Sequence, residues 1–236
     1  MAMGIRLSTW IVLFLCSAAV LSAQPAAQSS EPITVSFPTE DGGTIFADLY
    51  GKSEKAVVLA HGGQFNKESW APQAHTLAAA GFEVLAIDLR GYGKSHGPGD
   101  KDPMDARLDL DVLAAVHYLH KNGAKSVSVV GGSMGGSAAG DASIAAQPGE
   151  IDRVVMLGAA PNGPAEKLHS PTLFIVARDD TSGSGPRLPG IQKQFESAPQ
   201  PKKLVILDGS AHAQYLFQTD QADRVMREIL NFLTGK

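Results

Sequence analysis

Gly131-Gly132-Ser133-Met134-Gly135 stands between a short apolar run, Val127-Ser128-Val129-Val130, and a stretch with helical spacing, Met134 to Ala146. The run suits a strand and the stretch a helix, so the five residues read as a sharp strand-to-helix turn. The flanking glycines have a steric reason. Such a turn strains the central residue's backbone, and a side chain at Gly131 or Gly135 would collide with neighbouring chain. Ser133 is left exposed at the tip. Its hydroxyl is a weak nucleophile alone, so reactivity requires a base that takes its proton during attack. The bland alternative is a glycine-rich turn with an incidental serine, and the rest of the chain decides between the two.

The same alternation recurs along the chain. Apolar runs lie at Ala56–Ala60, Val84–Ile87, Val127–Val130, Val154–Leu157, Leu173–Val176 and Leu204–Leu207, with helical spacing over Ser69–Ala80, Met104–His120, Met134–Ala146 and Ala222–Phe232. Runs that are apolar throughout suit strands covered on both faces, and strand–helix alternation predicts a mainly parallel sheet flanked by helices. From Ile33 to Tyr50, alternating apolar residues flank Asp41-Gly42-Gly43, a hairpin signal. With that hairpin the sheet should have about eight strands.

In such sheets ligands gather at the carboxyl ends of the strands. The residues just past the runs are therefore the ones to inspect: His61-Gly62-Gly63, Asp88, Gly131-Gly132-Ser133, Asp179-Asp180 and His212. His212 is the candidate general base and then general acid. Of the other histidines, His75, His117 and His120 fall on predicted helices, His169 precedes a strand and His96 sits in a glycine-rich loop. A buried carboxylate would hold the imidazole in one tautomer and stabilise its cation. Asp179 and Asp180 are adjacent and leave their strand in different directions, so only one should face His212.

These residues resemble the α/β-hydrolase superfamily over nearly the whole chain after Ile33. His61-Gly62-Gly63, the elbow around Ser133 and the order Ser133, Asp180, His212 carry the resemblance. Family members commonly place the acid in Gly-x-x-Asp; the matching segment here is Ala177-Arg178-Asp179-Asp180, which points to Asp180. Ala177 in place of glycine departs from the pattern and keeps Asp179 open. The resemblance also implies an oxyanion hole made by the backbone N–H groups of Met134 and Gly63, with Gln64 as an alternative to Gly63. His61 would then organise its loop rather than take part in catalysis.

Asp88 to Ser95 likewise resembles a family segment that shapes the rim of the site. Its Gly93-Lys94-Ser95 ends like a phosphate-binding loop, but Asp88 stands where that motif needs glycine, and a nicotinamide-type fingerprint starting at Gly91 would need glycine at His96. Relatives often carry a cap between the strands that correspond to Val154–Leu157 and Leu173–Val176. Here only residues 159–170 fill that link, too few for a cap domain. The implied site is open to water and suits short or medium acyl groups. In size the chain resembles the small capless dienelactone-hydrolase group, which typically uses cysteine where this chain has Ser133. The expectation is an exported serine hydrolase that cleaves carboxylic esters through an acyl-enzyme. Amide, thioester or lactone bonds, or a non-catalytic binding protein of the same fold, are the alternatives.

Composition narrows the field further. Of 236 residues, 44% are hydrophobic and 19% charged, enough to bury a core, and a net charge of −4 without a basic cluster offers no footprint for nucleic acid. Residues 1–23 read as a secretory signal peptide, with Arg6 before an apolar stretch and small residues at its end. The apolar run falls short of the roughly 20 residues a membrane span needs. Residues 24–32 read as a flexible lead-in and 33–236 as one domain. Cys16, the one cysteine, would leave with the signal peptide, and Phe14-Leu15 before it do not suit lipidation. The mature chain would then have no disulfide, thiolate metal site or cysteine nucleophile. His117 and His120 lie one helical turn apart, which an amphipathic face explains better than a metal. No cofactor or metal is expected; the partner is a small-molecule acyl substrate, met in the periplasm or outside the cell.

Overall fold

The computed structural model describes residues 31–102 and 106–235, together with Met1 and Gly4. The signal peptide expected over residues 1–23 and most of the lead-in therefore lie outside the described residues. The chain forms strands β1 (Ile33–Pro38), β2 (Thr44–Tyr50), β3 (Lys55–Ala60), β4 (Glu83–Ile87), β5 (Ser126–Gly132), β6 (Val154–Leu157), β7 (Thr172–Ala177), β8 (Thr181–Ser182), β9 (Gly185–Pro186) and β10 (Lys202–Leu207). Its α-helices are α1 (Ala71–Ala79), α2 (Leu108–Lys121), α3 (Met134–Ala145), α4 (Leu188–Ser197) and α5 (Ala222–Thr234).

Eight strands make one sheet in the order β1-β2-β4-β3-β5-β6-β7-β10, with β1 and β2 antiparallel and the other six mutually parallel. Side chains alternate across a strand, so each parallel strand feeds two cores. On one face Ala56, Val58, Leu85, Val129, Met156 and Phe174 pack with α2, α3 and α4; on the other Val57, Leu59, Val84, Val155 and Ile175 pack with α1 and α5. Because both faces are covered, the central strands carry the unbroken apolar runs seen in the sequence. Edge strand β10 is covered less, and its pattern alternates. The link from β6 to β7 holds a single 3₁₀ turn, Ala165–Lys167, and no cap domain.

Topology places the site. From β3 the chain first moves to β4 on one side and then returns to β5 on the other, so the loops after β3 and β5 diverge from neighbouring strands and leave a crevice between them. The register pairs Ala60 with Gly131, which sets His61-Gly62-Gly63 directly beside Ser133.

The Asp88–Ser95 segment is structural. Arg90, 1% exposed, donates from Nε and Nη2 to Asp111 Oδ1 at 2.8 and 2.7 Å and from Nη1 to Asp41 Oδ2 at 2.6 Å. One guanidinium thus clips the β1–β2 turn, the loop after β4 and the first turn of α2. Beside it, the Asp41 carboxyl is held down at about 2. Such a pair tolerates burial because its donors and acceptors are matched. Ser95 Oγ accepts from Phe46 N–H at 2.9 Å, which ties the same segment to β2.

Two elements escape a periodicity reading. Helix α4, Leu-Pro-Gly-Ile-Gln-Lys-Gln-Phe-Glu-Ser, buries only Ile191 fully, so its apolar stripe is thin. The β8–β9 hairpin has two-residue strands, too short to show alternation. Helix α2 starts at Leu108, later than the expected Met104, which lies outside the described residues.

Candidate active site

Ser133 sits at the β5–α3 turn with φ 51° and ψ −118°, a conformation that costs a residue with a side chain about 1–3 kcal/mol. Packing enforces it. A Cβ on Gly131 would fall on the Gly135 carbonyl, and one on Gly135 would fall on the Ala60 carbonyl. The Ser133 N–H donates to Leu157 O at 2.9 Å, and Ser137 N–H donates to Ser133 O at 2.9 Å, anchoring the turn to β6 and to α3.

Three distant stretches converge on that turn. Ser133 Oγ lies 2.7 Å from His212 Nε2, and His212 Nδ1 lies 2.7 Å from Asp180 Oδ2. A carboxylate can only accept, so Nδ1 carries the proton and Nε2 accepts from the serine hydroxyl. Of the two aspartates that the sequence left open, Asp180 is buried against His212, while Asp179 is exposed and meets Gly209 O only through its backbone N–H, at 2.9 Å. Among the described residues the second carboxylate oxygen, Asp180 Oδ1, accepts no hydrogen bond, and Arg187 Nε lies 3.4 Å from it. The β8–β9 hairpin brings Arg187 back, and Arg187 N–H donates to Asp180 O at 2.9 Å.

The neighbouring N–H groups suit a developing negative charge. Those of Met134, Gly63 and Gln64 donate to no acceptor among the described residues. Met134 opens α3, where unsatisfied donors and the helix dipole coincide. A Cβ on Gly62 would lie 3.4 Å from Ser133 Cβ, so the Gly62-Gly63 backbone passes close by the serine. Tyr92 Oη donates to Gly63 O at 2.9 Å, which fixes the Gly63–Gln64 peptide.

His61 is fully buried and works within its loop. Its Nδ1 donates to Gly62 O at 2.9 Å, and its Nε2 accepts from Leu89 N–H at 3.2 Å. Burial pushes the imidazole down from 6.5 to about 4. Between those values the unfolded chain binds the proton that the folded chain refuses, so stability rises with pH. The contribution should be fully present above pH 6.5 and lost as pH falls to about 4, a swing of roughly 3 kcal/mol. NMR titration should place the His61 midpoint near 4, and the wild type should lose more denaturant resistance across this window than His61→Gln. A midpoint at the ordinary histidine value would refute this.

His117 and His120, read as an amphipathic face, bind other groups. His117 Nε2 is 2.6 Å from Glu150 Oε1, and His120 contacts Ala124 O and Glu150 O at 3.0 and 2.9 Å. Three residues at the site were not picked out from the sequence. Gly158, just past β6, leaves room for the triad, since a Cβ there would come within 2.9 Å of His212 Nδ1; its place at a strand's carboxyl end was a usable signal. Arg187 and Gln214 gave none, because their partners are remote in sequence. An open cleft of about 1050 Å³ adjoins Ser133, lined by the apolar Met134, Ala138, Ala159 and Ile191 and the charged Asp141 and Arg187.

A mainly parallel sheet with a hydrogen-bonded serine, histidine and aspartate at its carboxyl edge defines the class of nucleophile-elbow proteins. A family model described as alpha/beta hydrolase fold matches residues 55–223, and the chain belongs to that family. A 2-hydroxy-6-oxononadienedioate/2-hydroxy-6-oxononatrienedioate hydrolase of Burkholderia vietnamiensis is 32% identical over 180 residues, covering 72% of this chain and 56% of that protein. A non-heme chloroperoxidase of Streptomyces lividans is 32% identical over 124 residues, covering 52% of this chain and 44% of the other. The chain spans about half the length of the curated relatives it matches. Among solved structures, the esterase Pf2001 of Pyrococcus furiosus is similar in fold, with a TM-score of 0.71 at 20% identity over 86% of this chain and 92% of that one.

Proposed function

We propose that this protein is an exported serine hydrolase that cleaves carboxylic esters of short or medium acyl groups. The observation that carries the reading is the continuous relay from Ser133 Oγ through His212 to buried Asp180, two contacts of 2.7 Å each. In the first half-reaction Ser133 Oγ bonds to the ester carbonyl carbon while its proton passes to His212 Nε2. The carbonyl oxygen becomes an oxyanion held by the N–H groups of Met134 and Gly63. The carbon–oxygen bond then breaks, and the leaving alcohol takes the proton from His212. In the second half-reaction water gives a proton to His212 as its oxygen attacks the acyl carbon; the bond from that carbon to Ser133 Oγ then breaks, Oγ takes the proton back from His212, and the acid leaves.

Asp180 supports the imidazolium that forms twice per cycle, and the open cleft supports a substrate that needs no lid movement. Export rests on the sequence of residues 1–23. Nitrophenyl esters of graded acyl length, run beside amide, thioester and lactone substrates, should show hydrolysis that is fastest for short and medium esters. A dominant amide, thioester or lactone activity would move the reading to that bond. An inert Ser133 under a fluorophosphonate probe would favour a non-catalytic binding protein.

A further inference from the structure

Beyond the three reacting residues, we infer that Gln214 is a positioning residue that holds the oxyanion loop against the histidine loop; this rests on the serine-hydrolase reading above. Gln214 is 4% exposed and uses both ends of its carboxamide. Its Oε1 accepts from Gly62 N–H at 2.7 Å, and its Nε2 donates to Ser69 Oγ at 3.0 Å. A Cβ on Gly132 would meet Gln214 Cγ at 3.2 Å, so the same side chain also lies against the nucleophile turn. One buried side chain, two residues after His212, therefore bonds the loop that carries Gly63 and lies against the turn that carries Ser133.

The neighbouring contacts share the task. Tyr215 Oη donates to Gln64 Oε1 at 2.7 Å, and its ring packs 4.9 Å from that of Phe65. Ala213, between His212 and Gln214, has φ 49°, a strained conformation for alanine that anchoring on both sides sustains. Within the oxyanion loop, Gly62 N–H goes to Gln214 and Gly62 O accepts from Phe65 N–H at 2.9 Å. With Gly62 committed, the next N–H, that of Gly63, is left for the oxyanion. An oxyanion donor works by being in place before charge develops, so a loosened loop should slow the chemical step more than it weakens substrate binding.

The test compares Gln214→Leu, Gln214→Met and Ser69→Ala with the wild-type mature chain on the nitrophenyl ester it hydrolyses fastest. For Gln214→Leu and Gln214→Met, kcat should fall on the order of 10²-fold, as when an oxyanion donor is lost, with KM little changed. Ser69→Ala, which removes only the rear anchor, should show a smaller loss of the same kind. The pH midpoint of kcat should not move, because the His212–Asp180 pair is untouched. Hydrogen exchange at the Gly62 amide should quicken in both Gln214 variants, a readout that does not depend on activity. An unchanged kcat in folded Gln214 variants would overturn the inference, as would a loss confined to KM. A shifted pH midpoint would also overturn it by showing that Gln214 acts through His212. If Gln214→Leu does not fold, Gln214→Met and Ser69→Ala decide by the same criteria. Should the wild type hydrolyse none of the esters while its Gly62 amide still depends on Gln214, the hydrolase reading fails and the loop contact stands.

Discussion

Ser133→Ala should lower kcat by roughly 10⁶-fold on the best ester, the scale seen when the nucleophile of a comparable triad is removed. The physical reason is that in the proposed mechanism Ser133 Oγ forms the acyl bond, and no other hydroxyl among the described residues lies within hydrogen-bond reach of His212 Nε2. Residual turnover should come from water activated by His212 beside the proposed oxyanion donors, which the substitution leaves in place. Stability should not suffer. The serine hydroxyl is partly exposed and the strain lies in the backbone, which alanine carries at similar cost. Unfolding curves for the two proteins should therefore overlay, and fluorophosphonate labelling should vanish. Rates within tenfold of wild type would show that Ser133 is an incidental serine in a glycine-rich turn.

Asp180→Asn should cost about 10⁴-fold in kcat, whereas Asp179→Asn should cost little. Asparagine fills the same space, but its amide can donate where the carboxylate only accepts. His212 would then be favoured with its proton on Nε2, the wrong tautomer to receive the serine proton. The imidazolium formed during attack would also lose its counter-charge, leaving Arg187 as the near charge, 3.4 Å from Asp180 Oδ1. Asp179 is exposed and engages Gly209 through its backbone, a contact that substitution keeps. Steady-state kinetics on the two variants separates the assignments. A crippled Asp179→Asn beside a mild Asp180→Asn would reverse them.

The choice between those aspartates marks how far a linear reading reaches. The spacing Ala177 to Asp180 pointed to the second aspartate, but direction off a strand end is a property of local twist and of the hairpin that follows. Strands β8 and β9 are too short to leave a periodic trace, yet they set where Asp180 turns and return Arg187 to it. Gln214 is invisible for a related reason. Its partners Gly62 and Ser69 lie 152 and 145 residues away, so nothing in its own neighbourhood distinguishes it from a surface glutamine. Gly158 lay closer to reach, at the end of an apolar run where the sheet collects ligands.

By itself, the sequence determined the layered architecture, because unbroken apolar runs alternating with helical stripes can be buried only by a sheet covered on both faces. It also determined the elbow, since only glycine lets the chain pass at Gly131 and Gly135. Tertiary structure alone decided which aspartate meets His212 and which loop the carboxamide of Gln214 holds. Those contacts come from the strand order and register that set Ala60 beside Gly131, and from loops packed to within 3 Å of one another. Hydrogen bonding falls off over tenths of an ångström, and sequence patterning, which acts through burial, does not resolve position on that scale.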